Sequence, residues 1–341
     1  MNGVVRGLLP FAVAVPLLAL AQFLTADTPF LVILSLTVGV NITLAVSLNI
    51  VNGMTGQFSI GHAGFMAVGA YIAGVVSKAT AVYGIAFLPV AVSDQVLYAF
   101  SLLVGAVAAA VFGFFVGLPS LRLKGDYLAI VTLGFGEIIR VFVQNTEMFG
   151  KALGLSGVPQ QTSLFSCFFV VVLVVVVARR IAGSSHGRAL LAIREDEVAA
   201  EAMGVNTTAY KVRAFVVASF FAGLAGGVFA HYQSIVAPTS FGYVKSMEIV
   251  VMVVAGGLGS TTGAIIAAIF LTLLPEALRS LFLNVTGDGT LAQMVEQIRM
   301  PIYGLLLVVI MLVRPQGLFG TQEIWEVWPF RRKPTAPRTA S

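Results

Sequence analysis

Ten times along this chain the polar residues give way to an apolar run long enough, or nearly so, to cross a lipid bilayer. Ser163 to Ala178 is the plainest, reading SLFSCFFVVVLVVVVA. The others are Leu8–Leu24, Phe30–Ile50, a run ending near Ser77, Val96–Leu118, Tyr127–Phe142, Ala214–Val236, Phe241–Ala255, Gly263–Leu281 and Pro301–Val313. A spanning helix needs about 20 apolar residues. Only 10% of the 341 residues are charged, against about 25% in soluble domains. A soluble fold of this size cannot hide so much apolar surface. The runs are continuous, where a transmembrane barrel would show short alternating segments. The expectation is therefore an all-α, polytopic transmembrane helical bundle of about ten spans over residues 1–320, followed by a tail over 321–341.

The first run follows Arg6 and contains Ala19-Leu20-Ala21, which has the look of a signal-peptide cleavage site. With nine more runs behind it, an uncleaved first span is the expected reading. Ten crossings then leave both termini on one side. Arg6, Arg122, Lys124, Arg179, Arg180, Arg188, Arg194, Lys211, Arg213 and five tail residues fall on that side. Lys78, Arg140, Lys151, Lys245, Arg279 and Arg299 fall on the other. Cytoplasmic loops accumulate Lys and Arg, so this split places both termini in the cytosol. The net charge of +5 is then a mark of topology, and no nucleic-acid partner is expected. Cys167 is the single cysteine. It sits in an apolar run, which excludes an internal disulfide and reads as packing.

Two Gly-rich breaks interrupt the runs on the cytosolic side, Asn52–Gly64 (NGMTGQFSIGHAG) and Gly256–Ser260 (GGLGS). Polar groups at membrane depth cost energy unless they are paired or face a wet cavity. Asn49, Asn52, Gln57, Ser59 and His62, with Tyr71 and Glu248, are accordingly candidates for lining a pathway. The competing reading is tight turns and close helix packing, as for Gly105, Gly113 and Gly117. Glu137 and Arg140 are three apart and can pair on one helix face, as can Lys245 and Glu248. His62, His186 and His231 lack metal-ligand spacing, and His62 and His231 read as hydrogen-bonded packing residues. No GxxxxGK[ST], HExxH or GxSxG is present. No catalytic residue, cofactor or metal site is therefore expected.

The stretch Arg179–Arg213 is the exception to the apolar rule, with six Lys/Arg and four Asp/Glu. Within it, Arg188 to Met203 predicts one helix, ended by Gly204 at the position after its cap. Leu191, Val198 and Ala202 share one face, while Arg194, Glu197 and Glu201 share another. Helices that lie on lipid prefer a basic polar face. Here Glu195, Asp196 and Glu197 form an acidic run, which points to a protein partner.

Six blocks in order resemble the permease subunits of branched-chain amino-acid ABC importers. They are TGQFSIGHAGFMAVGAY (Thr55–Tyr71), RLKGDYLAIVTLGFGEIIR (Arg122–Arg140), GRALLAIREDEVAAEAMGV (Gly187–Val205), YKVRAFVVASFFAGLAGGVFAHY (Tyr210–Tyr232), PTSFGYVKSMEIVVMVVAGGLGSTTGA (Pro238–Ala264) and RPQGLFG (Arg314–Gly320). The resemblance implies a bacterial inner-membrane subunit that moves hydrophobic amino acids by alternating access. It implies two cytosolic ATPases, a second related permease and a periplasmic or lipid-anchored substrate-binding protein as partners. It also implies that residues 179–213 form the coupling loop that meets an ATPase. Arg188, Leu191, Arg194, Glu195, Asp196, Glu197, Val198, Glu201, Ala202 and Gly204 would carry that contact, with the Leu191/Val198/Ala202 face docking and the charges at its rim. The segment Glu197–Gly204 is similar to the Glu-Ala-Ala…Gly pattern of importer permeases, interrupted by Val198. One departure stands out: Gly150-Lys151-Ala152 replaces a Thr-Gly-Gly group, although Gly154-Leu155-Ser156-Gly157-Val158-Pro159 is kept. Import of urea or short amides by the same architecture is one alternative. A stand-alone ion-coupled transporter, with Glu137 and Glu248 as its deep carboxylates, is another.

Overall fold

The structure, a computed structural model, describes residues 28–81, 90–120 and 127–286, with isolated positions between 301 and 320. The first predicted run, Leu8–Leu24, most of the tenth and the tail over 321–341 lie outside the described residues. Among the described residues, eight helices are long and apolar enough to cross a membrane. They are α1 (Pro29–Asn52), α2 (His62–Ala81), α3 (Val90–Ser120), α4 (Tyr127–Asn145), α5 (Leu164–Ala182), α8 (Thr207–Ala230), α9 (Tyr243–Gly256) and α10 (Thr261–Thr286). The 3-10 turn Pro238–Phe241 completes the span of α9. Two short helices, α6 (Ser185–Glu195) and α7 (Glu197–Ala202), occupy the charged loop.

Local chemistry sets the helix ends. Pro29 opens α1 at a position where no backbone N–H is needed. Ser163 caps α5 in a reciprocal capping box with Ser166, and Asn206 caps α8 through Ala209 N. The helices outrun the predicted apolar runs because their ends are polar; α5, for example, carries Arg179 and Arg180 into its last turn. Helix α10 continues through Pro275, which a membrane helix tolerates when neighbours satisfy the freed carbonyl.

Helix α8 is the centre, packed against α1, α2 and α3. Helices α2, α3 and α8 meet along a seam of small residues. A Cβ at Gly69 would fall on the backbone of Gly223, and one at Gly226 on the carbonyl of Met66. One at Gly223 would lie 2.5 Å from Ala109 Cβ and 3.0 Å from Ala106 Cα. Backbones this close gain dispersion contacts, which is what drives helix association where water supplies no hydrophobic force. On the outer face of α3, Val92, Val96, Phe100, Leu103, Val107, Val111, Phe115 and Leu118 are exposed at steps of three or four residues. That spacing is one stripe of an α-helix, and it faces lipid.

The connections gather at two ends. At one end lie the first Gly-rich break, the charged loop and the break between α9 and α10. Arg194 reaches Gly53, and Gly259 reaches Asn49. Gly317 is here too, against Gly257. Helix α10 runs away from this end. At the other end Leu155–Ser156 and Ile235–Val236 pair as a two-stranded antiparallel sheet. Tyr71 Oη donates to Val236 O (2.7 Å) and Lys78 Nζ to Ser156 O (2.8 Å).

Candidate functional site

The single predicted helix over Arg188–Met203 is two helices. The break is at Asp196, whose backbone is extended (φ −156°, ψ 110°). Its carboxylate accepts from Val198 N (2.9 Å) and Ala199 N (3.0 Å). An aspartate that can cap the next turn competes with its own place in a continuous helix, and here the cap wins. Gly204 does end the second helix in the left-handed conformation, φ +85°. Nothing stands within 4 Å of a Cβ placed there, so its backbone requires glycine and its packing does not.

The charges of this loop turn inward. Arg194 Nη1 donates to Gly53 O (2.8 Å), and its side chain lies against both Gly56 and Gly259. Asn49 Oδ1 accepts from Gly259 N (2.9 Å). One arginine thus ties the loop to both Gly-rich breaks, and through them to α1, α2, α9 and α10. Glu197 Oε1 accepts from Lys211 Nζ at 2.5 Å, where Lys211 is only 5% exposed. The Glu197 side chain is 36% exposed, so the pair fastens α7 to the root of α8 at the edge of the bundle. Glu201 accepts from Thr207 Oγ1 (2.6 Å). Arg194, Glu197 and Glu201, the expected rim of a docking face, make these contacts to the chain's own bundle, while Glu201 is exposed as well. Arg188 and Glu195 remain exposed. Leu191, Val198 and Ala202 are exposed as well, joined by Met203 at 84% exposure.

The predicted pathway residues are mostly interior pins. Asn52 makes a two-way bond across the first break, accepting from Ser59 N (3.1 Å) and donating to Ser59 O (3.3 Å). His62 Nε2 meets Ser47 Oγ at 2.8 Å. Tyr71 is bonded to Val236 as described, and His231 packs through Gly227 O (2.7 Å). All are buried. Gln57 differs, because its buried Oε1 has no hydrogen-bond partner among the described residues. Glu137 pairs with Arg140 at 2.6 Å and also accepts from Tyr243 N (3.0 Å), so it ties α4 to α9.

Glu248 lines a groove. A groove of about 500 Å³ lies between α1, α9 and α10, with Asn41, Lys245, Glu248 and Thr272 in its wall. The sequence marks Lys245 only as an ion-pair partner of Glu248 and gives no sign of Asn41 or Thr272. Their convergence from three helices has no local signature.

A family model described as "Branched-chain amino acid transport system / permease component" matches residues 30–313. The chain belongs to this family. The permease is 35% identical to the "High-affinity branched-chain amino acid transport system permease protein LivM" of Escherichia coli (strain K12), across 90% of this chain and 74% of that protein. It is 36% identical to the LivM protein of Salmonella typhimurium, across 81% of this chain and 67% of that protein. The Escherichia coli protein of the same system called LivH is 23% identical, across 83% of this chain and 92% of that protein. The departure at Gly150-Lys151-Ala152 has a structural counterpart in the permease. Lys151 adopts φ +54°, the only non-glycine with positive φ among the described residues, where the expected pattern has glycine.

Proposed function

We propose that this permease is one transmembrane subunit of an ATP-driven importer of branched-chain amino acids in a bacterial inner membrane. Its partners are two cytosolic ATPases, a second related permease and a substrate-binding protein, and its termini lie in the cytosol. The observation that carries the coupling role is the seating of Arg194. The outer surface of α6 and α7 offers exposed apolar side chains, Leu191, Val198 and Met203. The inner surface is fastened to both breaks that end spanning helices. Force applied outside by an ATPase reaches α1, α2, α9 and α10 through one side chain. Arg188, Glu195, Val198, Ala202 and Gly204 belong to the surface that docks; Arg194, Asp196, Glu197 and Glu201 shape it from behind. This is rocking of packed elements about a shared end.

Reconstitution in proteoliposomes tests the reading. The full complex, with leucine-loaded binding protein outside and ATP inside, is expected to accumulate leucine, and this chain alone is not. Ion-gradient-driven leucine uptake by the chain alone would establish a secondary transporter instead. Uptake of urea in preference to leucine by the full complex would establish the amide reading.

A further inference from the structure

The groove between α1, α9 and α10 holds a charged pair where charge is most costly. Asn41 is eleven residues along α1 from Asn52, and Thr272 is eleven along α10 from Thr261. Lys245 is eleven residues from Gly256, the end of α9. At 1.5 Å per residue each sits about 16 Å from the cytosolic breaks, which is half of a hydrocarbon core about 30 Å thick. At that depth ionisable groups face a bundle interior or a wet cavity and mark substrate pathways. As stability devices they are poor, because apolar residues of like volume do as well or better than a buried ion pair.

The arrangement of the pair is specific. Lys245 Nζ donates to Asn41 Oδ1 (2.9 Å) and to Glu248 Oε2 (3.2 Å). Asn41 Nδ2 donates to Thr272 Oγ1 (2.9 Å), which donates to Ala268 O (2.6 Å). Lys245, Asn41 and Thr272 are thereby each oriented by a neighbour on another helix, and Lys245 in turn holds Glu248 on its own helix. An ammonium has three N–H donors, and these two acceptors leave one for a ligand. Both residues line the groove, the Lys245 side chain 19% exposed and that of Glu248 5%. The rest of the wall sets Phe30, Ile33, Leu34, Phe229 and Met252 beside Thr37, Gln233, Ser240 and Glu276. The volume falls within the 300–1,000 Å³ typical of small-molecule sites. A cation and an anion side by side, with this cluster of apolar side chains in the same wall, complement an α-amino acid zwitterion with an aliphatic side chain. Urea and simple amides offer no charges to match.

We propose that the Asn41–Lys245–Glu248–Thr272 groove is a mid-membrane subsite for the α-carboxylate and α-ammonium of a hydrophobic amino acid. Lys245 receives the carboxylate and Glu248 the ammonium. Asn41 and Thr272 are positioning residues for the lysine. The proposal rests on the importer reading above and adds a transit site within the permease itself.

The test uses the complete permease–ATPase complex in nanodiscs, without binding protein, and radiolabelled leucine. Saturable binding is expected, with leucinamide and 4-methylpentanoate competing at least tenfold more weakly than leucine, since each lacks one charge. Lys245→Met and Glu248→Gln should weaken binding at least tenfold, Thr272→Val a few-fold, and Lys245→Arg should restore most of it. Basal ATPase activity of each variant complex reports assembly, and Thr272→Val keeps the core shape if the charge variants fail to assemble. Unchanged affinity in Lys245→Met or, failing its assembly, in Thr272→Val would overturn the site. So would equal competition by leucinamide, or no saturable binding in a complex that transports leucine. A wild-type complex that transports no leucine in proteoliposomes would instead remove the importer reading itself.

Discussion

Two regions of this bundle solve the bilayer problem in opposite ways. Helices α2, α3 and α8 close on each other through Gly69, Gly105, Gly113 and Gly223, with backbone against backbone and no room for a methyl group. Helices α1, α9 and α10 also pack closely where Gly256 meets Gly263, but farther along they open into a groove bridged by Asn41, Lys245 and Thr272. The first arrangement cannot change without breaking, since interiors packed at this density have no slack. The second has a groove within it, and the directional bonds across that groove can be remade one at a time. The contrast assigns a frame and a working side within one chain.

The frame should break hardest. Gly69→Val is expected to remove the folded permease from the membrane almost entirely, because its Cβ meets the backbone of Gly223 and backbone cannot step aside. Gly134→Ala, with nothing within 4 Å of the added carbon, should leave it unchanged. Immunoblots of membrane fractions compare the two, and equal levels would erase the distinction between frame and working side.

On the working side the effect should be on coupling, with abundance kept. Arg194→Ala removes a bond from a charged donor to Gly53 O, worth about 2 kcal/mol, or roughly a thirtyfold shift in the linked equilibrium. Leucine uptake should fall by about that factor while membrane levels and ATP hydrolysis persist. Full uptake in this variant would mean that force enters elsewhere. Smaller again, Val198→Asp on the exposed face of α7 should weaken copurification of the ATPases about tenfold, as expected for losing about 1.5 kcal/mol of apolar burial. The isolated permease should melt as before. The smallest effect is at the external loop. Lys151→Gly relieves a left-handed residue costing about 1 kcal/mol and gives up an exposed pair with Glu147 worth less than that. A rise of a degree or two in melting temperature is expected, with no change in leucine uptake.

Most spans were legible because an apolar run needs no partner to declare itself; Ser163–Ala178 could hardly be anything else. The pairing of Glu137 with Arg140 and of Lys245 with Glu248 was legible for the same reason, being set by helical spacing alone. Illegible were contacts between segments far apart. Arg194 and Gly53 are 141 positions apart, and Asn41 and Thr272 are 231 apart. The break at Asp196 misled differently. The helical pattern continues across it, and only the competition between cap and helix, decided by the turn that follows, interrupts the axis. Asn52, His62 and Tyr71, candidates for lining a pathway, find their hydrogen-bond partners in Ser59, Ser47 and Val236, and that pairing has no sign in the local sequence.

The exposed stripe on α3 reaches further than the frame it belongs to. From Val92 to Leu118 it covers 26 residue steps, about 39 Å of helix, while the hydrocarbon of an average bilayer offers about 30 Å. A stripe longer than its solvent is deep makes the helix lean, or makes the nearby lipids stretch. Because α3 is welded to α2 and α8, its lean is shared by the whole frame. Acyl-chain length therefore bears on how the frame sits: in thicker membranes it is expected to stand more upright.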